Sequence, residues 1–444
     1  MLKTFPKGGV HPPENKLTAA AAIDILAIPE QVIIPISQHI GAPASPVVAK
    51  GDMVKAGQVI ATSQGFVSTN IHSSVSGKVN KVDRMPDSTG YRQTCVVIDV
   101  EGDEWVDTVD LSPVIIREIT LTREEIVKKC VENGIVGMGG ATFPSHVKLS
   151  IPPGKKCDIL IINGVECEPF LTSDHRIMLE RGEEMLTGVT ILMKALGVSK
   201  AIVGIENNKP DAIKHLTELA RSFEGVSVAG LKVKYPQGGE KQLIKALINR
   251  EVPSGGLPID VGTVVHNVGT ALAVYEAIQK NKPLVERVVT VTGKHLPKPG
   301  NMKVRIGTPF RNLIEASGGM PDNTGKIVNG GPMMGKAVST LEVPVTKGTS
   351  GIILFPAEES VRKPESACIR CGKCISACAL GLEPYLLMVL AKKGLKEKME
   401  HERIMDCMEC GSCSYICPAN RPLLDYIRLG KQQVGIMIRE RSRK

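Results

Sequence analysis

Aromatic side chains are scarce, with 7 Phe, 6 Tyr and 1 Trp among 444 residues. The cores must therefore be aliphatic, and a nucleic-acid surface built on stacked rings is not expected. Long apolar runs are missing as well. The most apolar early stretch, Ile23 to Ile36, is broken by Asp24, Pro29, Glu30 and Pro35. A membrane helix needs roughly 18 uninterrupted apolar residues. The N-terminus, Met1-Leu2-Lys3-Thr4-Phe5-Pro6, lacks the apolar centre of a signal peptide. Cysteine is nearly absent before residue 360, where only Cys95, Cys130, Cys157 and Cys167 occur. A secreted disulfide scaffold would not leave most of its length bare. These absences predict a cytoplasmic chain with no transmembrane helix of its own, which reaches a membrane only through a partner.

What is present is uneven. The net charge is +9, which suits an acidic partner or an anionic membrane face without choosing between them. The length predicts two to four domains. The other eight cysteines crowd into two motifs, Cys368-x2-Cys371-x2-Cys374-x3-Cys378 and Cys407-x2-Cys410-x2-Cys413-x3-Cys417-Pro418. Three thiolates at three-residue spacing let a tight turn wrap one iron–sulfur cube. The chain then leaves in a helix, and the fourth thiolate points to the neighbouring cube. The expected sets are crossed: Cys368, Cys371, Cys374 and Cys417 on one 4Fe-4S cluster, and Cys378, Cys407, Cys410 and Cys413 on the other. Gly372 and Gly411 follow the second cysteine of each motif and allow close backbone approach. A zinc site would leave four of the eight thiols idle. Disulfides at this spacing in a cytoplasmic chain are not expected.

Periodicity divides the chain as a multidomain α/β protein. Residues 1–31 read as irregular. From Gln31 to about Val100, short β-branched runs are punctuated by glycine, which predicts a small all-β module. The stretches Val48 to Ile60 and Ile71 to Val79 resemble the barrel-sandwich fold of lipoyl and biotinyl carrier domains. The segment between, Ala61 to Asn70, contains no lysine, so the module reads as a docking element and not a swinging arm. A capping box, Thr122-Arg123-Glu124-Glu125, opens a helix. Strands at Asp158 to Asn163, Lys200 to Ile205 and Leu231 to Tyr235 alternate with helices at Glu183 to Leu196, Asp211 to Phe223, Gly239 to Asn249 and Thr270 to Gln279. That alternation predicts a mainly parallel α/β domain. Short strands return after residue 283, with a helix at Phe310 to Ala316. A helix at Tyr385 to Lys393 separates the cysteine motifs. The expected units are 1–112 (barrel-sandwich module), 113–282 (α/β domain), 283–345 (small α+β module), 346–430 (helical cysteine domain) and 431–444 (a basic, solvated tail).

Between the capped helix and the next strand runs Gly134-Ile-Val-Gly137-Met138-Gly139-Gly140-Ala141-Thr142-Phe143-Pro144-Ser145-His146-Val147-Lys148. Glycine-rich backbone can present bare N–H groups to phosphate. This loop resembles the flavin signature of the NADH-binding subunit of respiratory complex I. Three further segments resemble that subunit in the same order: Asn163-Gly-Val-Glu166-Cys-Glu168-Pro169, Tyr235-Pro-Gln-Gly238-Gly239-Glu240 and His266-Asn267-Val268-Gly269-Thr270. Met138 stands where complex I has arginine, Gly239 where it has glutamate, and His266 where it has asparagine. Together with Phe5-Pro6-Lys7-Gly8-Gly9-Val10-His11-Pro12, the carrier-like module and the paired cysteine motifs, the whole chain resembles the RnfC family, a component of the Rnf electron transport complex.

That resemblance implies a Rossmann-like domain for FMN and NADH, a ubiquitin-like β-grasp (soluble-ligand-binding) module, and a ferredoxin domain with two 4Fe-4S clusters. It implies that Gly137, Gly139, Gly140 and Lys148 hold the FMN phosphate and ribityl region. Asn163, Glu166, His266 and Asn267 would contact the flavin. Glu168 and Glu240 would line the nicotinamide side, with Phe143 stacking nearby and Tyr235 and Gly238 in the same site. The partners implied are the Rnf membrane subunits and the ferredoxin-like RnfB subunit, at the cytoplasmic face of the cell membrane. A flavin takes a hydride from NADH and releases single electrons, so flavin beside iron–sulfur clusters is a chemically complete adaptor. Two other readings share parts of the pattern: a soluble NADH-dependent corrinoid reductase, and a non-catalytic iron–sulfur scaffold. The early position of the carrier-like module argues against the first.

Overall fold

In the computed structural model, residues 2–442 are described. The first module is two small antiparallel sheets closed on each other. One runs Gln31–Pro35, Arg92–Val100, Gly77–Pro86, Met53–Val54, and the other Ser45–Pro46, Val59–Thr62, Ile71–His72. Alternate residues such as Val32, Ile34, Ile60, Val79, Val96 and Ile98 turn inward to one aliphatic core. Gly77 is required, since at φ +152° a Cβ would lie 2.1 Å from the Asp99 carbonyl oxygen.

The second module holds four parallel strands in the order Val226–Leu231, Ala201–Glu206, Ile159–Asn163, Thr263–Asn267. Helices cover the sheet, so its strands are near-continuous apolar runs such as Ile159-Leu160-Ile161-Ile162. The capping box forms as expected: Thr122 Oγ1 accepts from the Glu125 amide and Glu125 accepts from the Thr122 amide. Helix Gly182–Leu196 packs so closely on helix Val268–Gln279 that a Cβ at Gly188 would lie 1.9 Å from the Ala271 oxygen. Two expectations are corrected here. The third strand is Val226–Leu231 and not Leu231 to Tyr235. The alternation Leu231-Lys-Val-Lys-Tyr235 is real, but it seats the N-terminal segment through bridges Lys3↔Leu231 and Val10↔Tyr235. The strand Thr263–Asn267 went unpredicted because its five residues carry a terminal His-Asn and sit directly against a helix.

The third module is a mixed six-stranded sheet ordered Ile23–Ile25, Gly300–Arg305, Glu286–Thr292, Gly351–Pro356, Thr324–Asn329, Lys336–Ala337. Helix Phe310–Ala316 buries Phe310, Leu313 and Ile314 against it. The sheet thus continues past residue 345 and recruits a strand from the segment expected to be irregular. The last module is helical, with Pro384–Lys392, Lys396–His401 and Leu423–Ser442 around Leu387, Met399, Leu423 and Ile427. The basic run Arg439 to Ser442 is exposed, as expected of a solvated end, but it is the last turn of the final helix, in which Val434 is fully buried. Among the described residues no helix is long and apolar enough to cross a membrane.

Buried polar side chains tie the modules together. Lys347 is buried; its Nζ donates to the Gly134 oxygen at 2.7 Å and the Asn70 oxygen at 3.2 Å, and its amide donates to Gln38. One lysine therefore joins the first three modules, and burial pulls its pKa down to about 7.

Candidate functional site

In the parallel sheet, Ile159–Asn163 and Thr263–Asn267 are neighbours in register, with Asn163 opposite Asn267. The chain proceeds from the first of these toward Ala201–Glu206 on one side, and the second lies on the other side. The strand order therefore reverses here, and the crevice beyond these carboxyl ends is where open α/β sheets bind ligands. Asn267 anchors the crevice. Its Oδ1 accepts from the Gly269 amide at 2.8 Å, and its Nδ2 donates to Asp174 at 2.6 Å. The glycine loop lies against it: a Cβ at Gly139 would meet Asn267 at 2.9 Å, and the Met138 amide donates to Thr270 Oγ1 at 2.9 Å.

The loop offers what an anionic ligand needs. Gly139, Gly140 and Ala141 are exposed, and among the described residues their amides have no internal hydrogen-bond acceptor. A Cβ at Gly140 would meet nothing within 4 Å. Gly137 is held back by its amide bond to the Phe143 oxygen. Phe143 is half-buried, and Pro144 begins the short helix Ser145–Leu149. Lys148 on that helix donates to Glu240 at 2.8 Å and to the Val265 oxygen at 3.0 Å. An anion would compete with Glu240 for the charge of Lys148, whose third N–H is left for it. His266 is buried, with Nε2 unpartnered, and burial with Lys148 nearby pulls its pKa to about 3, so the ring is neutral.

The remaining expected residues are also placed. Asn163 donates to the Gly238 oxygen at 2.9 Å. Glu166 accepts from the Asp174 amide at 2.7 Å and the His175 amide at 3.2 Å, closing the start of helix Ser173–Glu180. Glu168 turns elsewhere. Its oxygens accept from the Met333 and Met334 amides at 3.0 and 2.9 Å and from the Tyr235 hydroxyl at 3.3 Å. Burial raises its pKa to about 7. The Tyr235 hydroxyl has one proton, which it shares between Glu168 and the nearer Cys410 oxygen at 2.8 Å. Thus Lys148, Glu240, Asn163, Gly139 and Asn267 converge on the crevice, whereas Glu168 and Tyr235 meet at the junction with the third and fourth modules.

Sequence reasoning missed Asp174 and Lys16. Asp174 is half-buried beside Asn267, and desolvation followed by the Glu166 charge raises its pKa to about 7. Lys16 donates to the oxygens of Glu166, Glu168 and Leu171 and so holds the whole strand-end loop. An acidic residue at a helix start and a lysine in an irregular segment carry no distinctive signal.

In the cysteine domain both motifs turn the same way. Arg370 and Gly372 have φ +56° and +72°, and Glu409 and Gly411 have φ +60° and +78°. Each turn leads into a one-turn helix, Lys373–Ser376 or Ser412–Tyr415. Cys378, Cys407, Cys410 and Cys413 line one apolar cavity with Leu382, Leu387 and Ile427. This is one of the two crossed sets. Burial raises the Cys413 thiol to about 12, with Cys407, Cys410 and Cys378 adding to the rise. Four thiolates crowded in this way need cations between them. Amides of Leu382 and Glu409 point at the sulfurs of Cys378 and Cys407 at 3.3 and 3.4 Å, as iron–sulfur ligands favour. Among the described residues no three Cys, His, Asp or Glu converge on a single metal ion. In the other set, Cys374 and Cys417 pack on the same helical core, and Cys368 and Cys371 are exposed.

A flavin-type crevice joined to a double cysteine domain defines a class, the flavin- and iron–sulfur-dependent electron-transfer subunits. Family models agree module by module: an RnfC barrel-sandwich hybrid domain at residues 3–103, a Nuo51 FMN-binding domain at 130–276, an SLBB domain at 288–337 and a 4Fe-4S dicluster domain at 360–418. The chain is 50% identical over 98% of its length to the C subunit of the proton-translocating ferredoxin:NAD(+) oxidoreductase complex of Clostridium ljungdahlii, covering 94% of that protein. It is 46% identical over 96% to the Na(+)-translocating counterpart of Acetobacterium woodii, covering 96% of it. Against the corresponding component of the ion-translocating oxidoreductase complex of Rhodobacter capsulatus it is 40% identical over its whole length, covering 85% of that protein. Among solved structures, an NAD+-reducing NiFe hydrogenase in the air-oxidised state shares the fold, with TM-score 0.51 and 18% identity over 70% of this chain and 63% of that one. The chain belongs to the RnfC family, a component of the Rnf ion-translocating ferredoxin:NAD(+) oxidoreductase complexes.

Proposed function

We propose that this chain is the peripheral subunit of an Rnf complex that exchanges electrons between NADH, FMN and two 4Fe-4S clusters, at the cytoplasmic face of the membrane. Membership of the family makes it an oxidoreductase subunit with an FMN-binding and a 4Fe-4S domain. The observation that supports the finer reading is convergence. Four sequence-distant segments meet at the strand-order reversal, and the cavity lined by four thiols abuts the same domain through Tyr235 and Cys410.

FMN, when bound, would accept a hydride and pass on single electrons. The residues supply the rest. The open amides of Gly139, Gly140 and Ala141 would receive the phosphate. Lys148 would supply a cation in competition with Glu240. Asn267 and Asn163 fix the strand ends over which the ring would lie, and neutral His266 keeps that floor uncharged. Glu240, beside Lys148, would line the nicotinamide side. Glu168 has all its acceptors engaged and acts on the site by fixing the Met333–Met334 turn. Cys378, Cys407, Cys410 and Cys413 would hold one cluster, and Cys368, Cys371, Cys374 and Cys417 the other. We read the third module as a β-grasp, and RnfB together with the membrane subunits as partners.

Anaerobically purified, iron-reconstituted protein should bind FMN, and NADH should bleach both flavin and cluster absorbance. If saturating NADH leaves both oxidised, the reading is wrong.

A further inference from the structure

The glycine loop has no committed cation of its own. From Gly134 to Val147 it holds no lysine or arginine, and Lys148 at its end already faces the Glu240 carboxylate. A phosphate monoester carries about two negative charges at neutral pH. The open amides of Gly139, Gly140 and Ala141 supply dipoles only. A buried cation without an anion lies close by. Arg287 stands on strand Glu286–Thr292 of the third module and is 5% exposed. Its Nε donates to the Val288 oxygen at 3.4 Å and its Nη1 to the Lys347 oxygen. Among the described residues it forms no ion pair, and Asp174 is the one charge that tells on it. Asp174 is itself bonded to Asn267 and lies against the Glu166 charge, so it is not a dedicated counter-ion. Nη2 of Arg287 has no hydrogen-bond partner, yet it is not among the sealed, unpartnered atoms of the interior. This edge of the guanidinium therefore reaches open space. An unpaired buried charge is costly, and an anionic ligand would relieve it.

Contacts on two sides place that edge beneath the loop. Lys347, which holds Nη1, precedes Gly348, and a Cβ at Gly348 would lie 2.8 Å from Cγ2 of Thr142. On the other flank Asp174 accepts from Asn267, against which Gly139 rests. Thr290, on the same strand as Arg287, accepts from the Thr172 amide at 3.1 Å and so seats this strand beside the start of helix Ser173–Glu180. The guanidinium thus lies between the two supports of segment 139–142, the segment whose amides are open.

We propose that Arg287 receives the phosphate of the flavin, in concert with the amides of Gly139, Gly140 and Ala141, and thereby makes the crevice select FMN over unphosphorylated riboflavin. The proposal rests on the FMN reading above and adds a residue from a different module to that site. A guanidinium suits the task, since its fork can offer parallel N–H groups to two phosphate oxygens. The third module then forms part of the flavin site, and a bound phosphate ties it to the α/β domain. Inorganic phosphate shares this chemistry and should compete for the same place.

The test measures flavin binding by fluorescence quenching on full-length, iron-reconstituted, flavin-free protein, with FMN and riboflavin as the two probes. The parent should prefer FMN. Arg287→Met should lose at least about thirtyfold in FMN affinity and keep its riboflavin affinity within about twofold. Arg287→Lys should recover part of the FMN loss, because it restores the charge without the fork. Inorganic phosphate should displace FMN from the parent and leave riboflavin in place. Arg287→Gln, which retains an N–H donor for the Lys347 oxygen, should show the same selective loss and keeps the test open if Arg287→Met does not fold. A parallel fall for FMN and riboflavin would overturn the proposal, since Arg287 would then only prop the fold. So would FMN affinity unchanged in the variants, or a loss of NADH affinity with the FMN preference intact. A parent that binds neither flavin would strike the FMN reading itself, whereas a parent that binds FMN with no selective loss in the variants strikes this proposal alone.

Discussion

The α/β domain and the cysteine domain build their sites by opposite means. The first assembles its crevice from backbone ends and strand order: residues near positions 139, 163, 240 and 267 meet because four parallel strands reverse order there. The second carries its eight proposed ligands in two segments of eleven residues each, Cys368–Cys378 and Cys407–Cys417, set among short helices and one long one. One site depends on tertiary structure, the other on local spacing. They should therefore fail differently.

The largest effect is expected where a ligand is indispensable. Cys413→Ser should remove about half of the iron and acid-labile sulfide, because one of two four-thiolate sets is lost. Cys95→Ser, a buried and isolated cysteine, should leave iron content unchanged. Equal loss in both would erase the distinction between ligand and core cysteine.

The crevice should degrade by steps instead. Asn267→Ala removes the Gly269 cap and the Asp174 bond together and should cost about 2 kcal/mol of stability. FMN affinity, read by fluorescence quenching, should fall by more than tenfold. Lys148→Met should weaken FMN about tenfold with little change in stability, since its Glu240 partner is over one-third exposed.

Lys347, which joins the α/β domain to the first and third modules, gives that side of the comparison a pH axis. Its folded pKa, about 7, lies below that of an ordinary lysine. Between about pH 7 and the usual lysine range near 10.4 the unfolded chain binds more protons, so this group makes stability rise with pH across that window. Below pH 7 both states are protonated and the burial cost is felt in full. Lys347→Met should flatten the rise in melting temperature between neutral and mildly alkaline pH. An unchanged pH slope would mean that Lys347 stays charged in the fold. The smallest effect is expected at the capping box, where Thr122→Ala should cost about 1 kcal/mol, visible as faster hydrogen exchange in helix Arg123–Glu132.

The same contrast explains what the sequence disclosed. Both cysteine motifs and the helix between them, Pro384–Lys392, were legible from local spacing and pattern, whereas helices Lys396–His401 and Leu423–Ser442 went unpredicted. Most α/β helices were legible from caps and period. The crevice was not legible from residue pattern: Gly139, Asn163 and Asn267 became a group only through a family resemblance, and Asp174 and Lys16 escaped even that. Leu231 to Tyr235 misled because period-2 alternation records a half-buried extended segment, whether or not that segment joins a sheet. Gly351–Pro356 fell outside the expected module because its sheet closes across a long, irregular excursion.

The opening residues carry a consequence for biogenesis. Gly8 and Gly9 rest on Cys378 and Ala377, Lys16 grips the loop before residue 172, and Ile23–Ile25 borders Gly300–Arg305. The segment thus takes its seats at widely separated points of the chain, from the loop before residue 172 to Ala377 and Cys378, and is complete only when the cysteine domain has docked. It works as a belt across all the modules, and Gly8→Val, which would drive a side chain into the Cys378 carbonyl, should unfasten its far end.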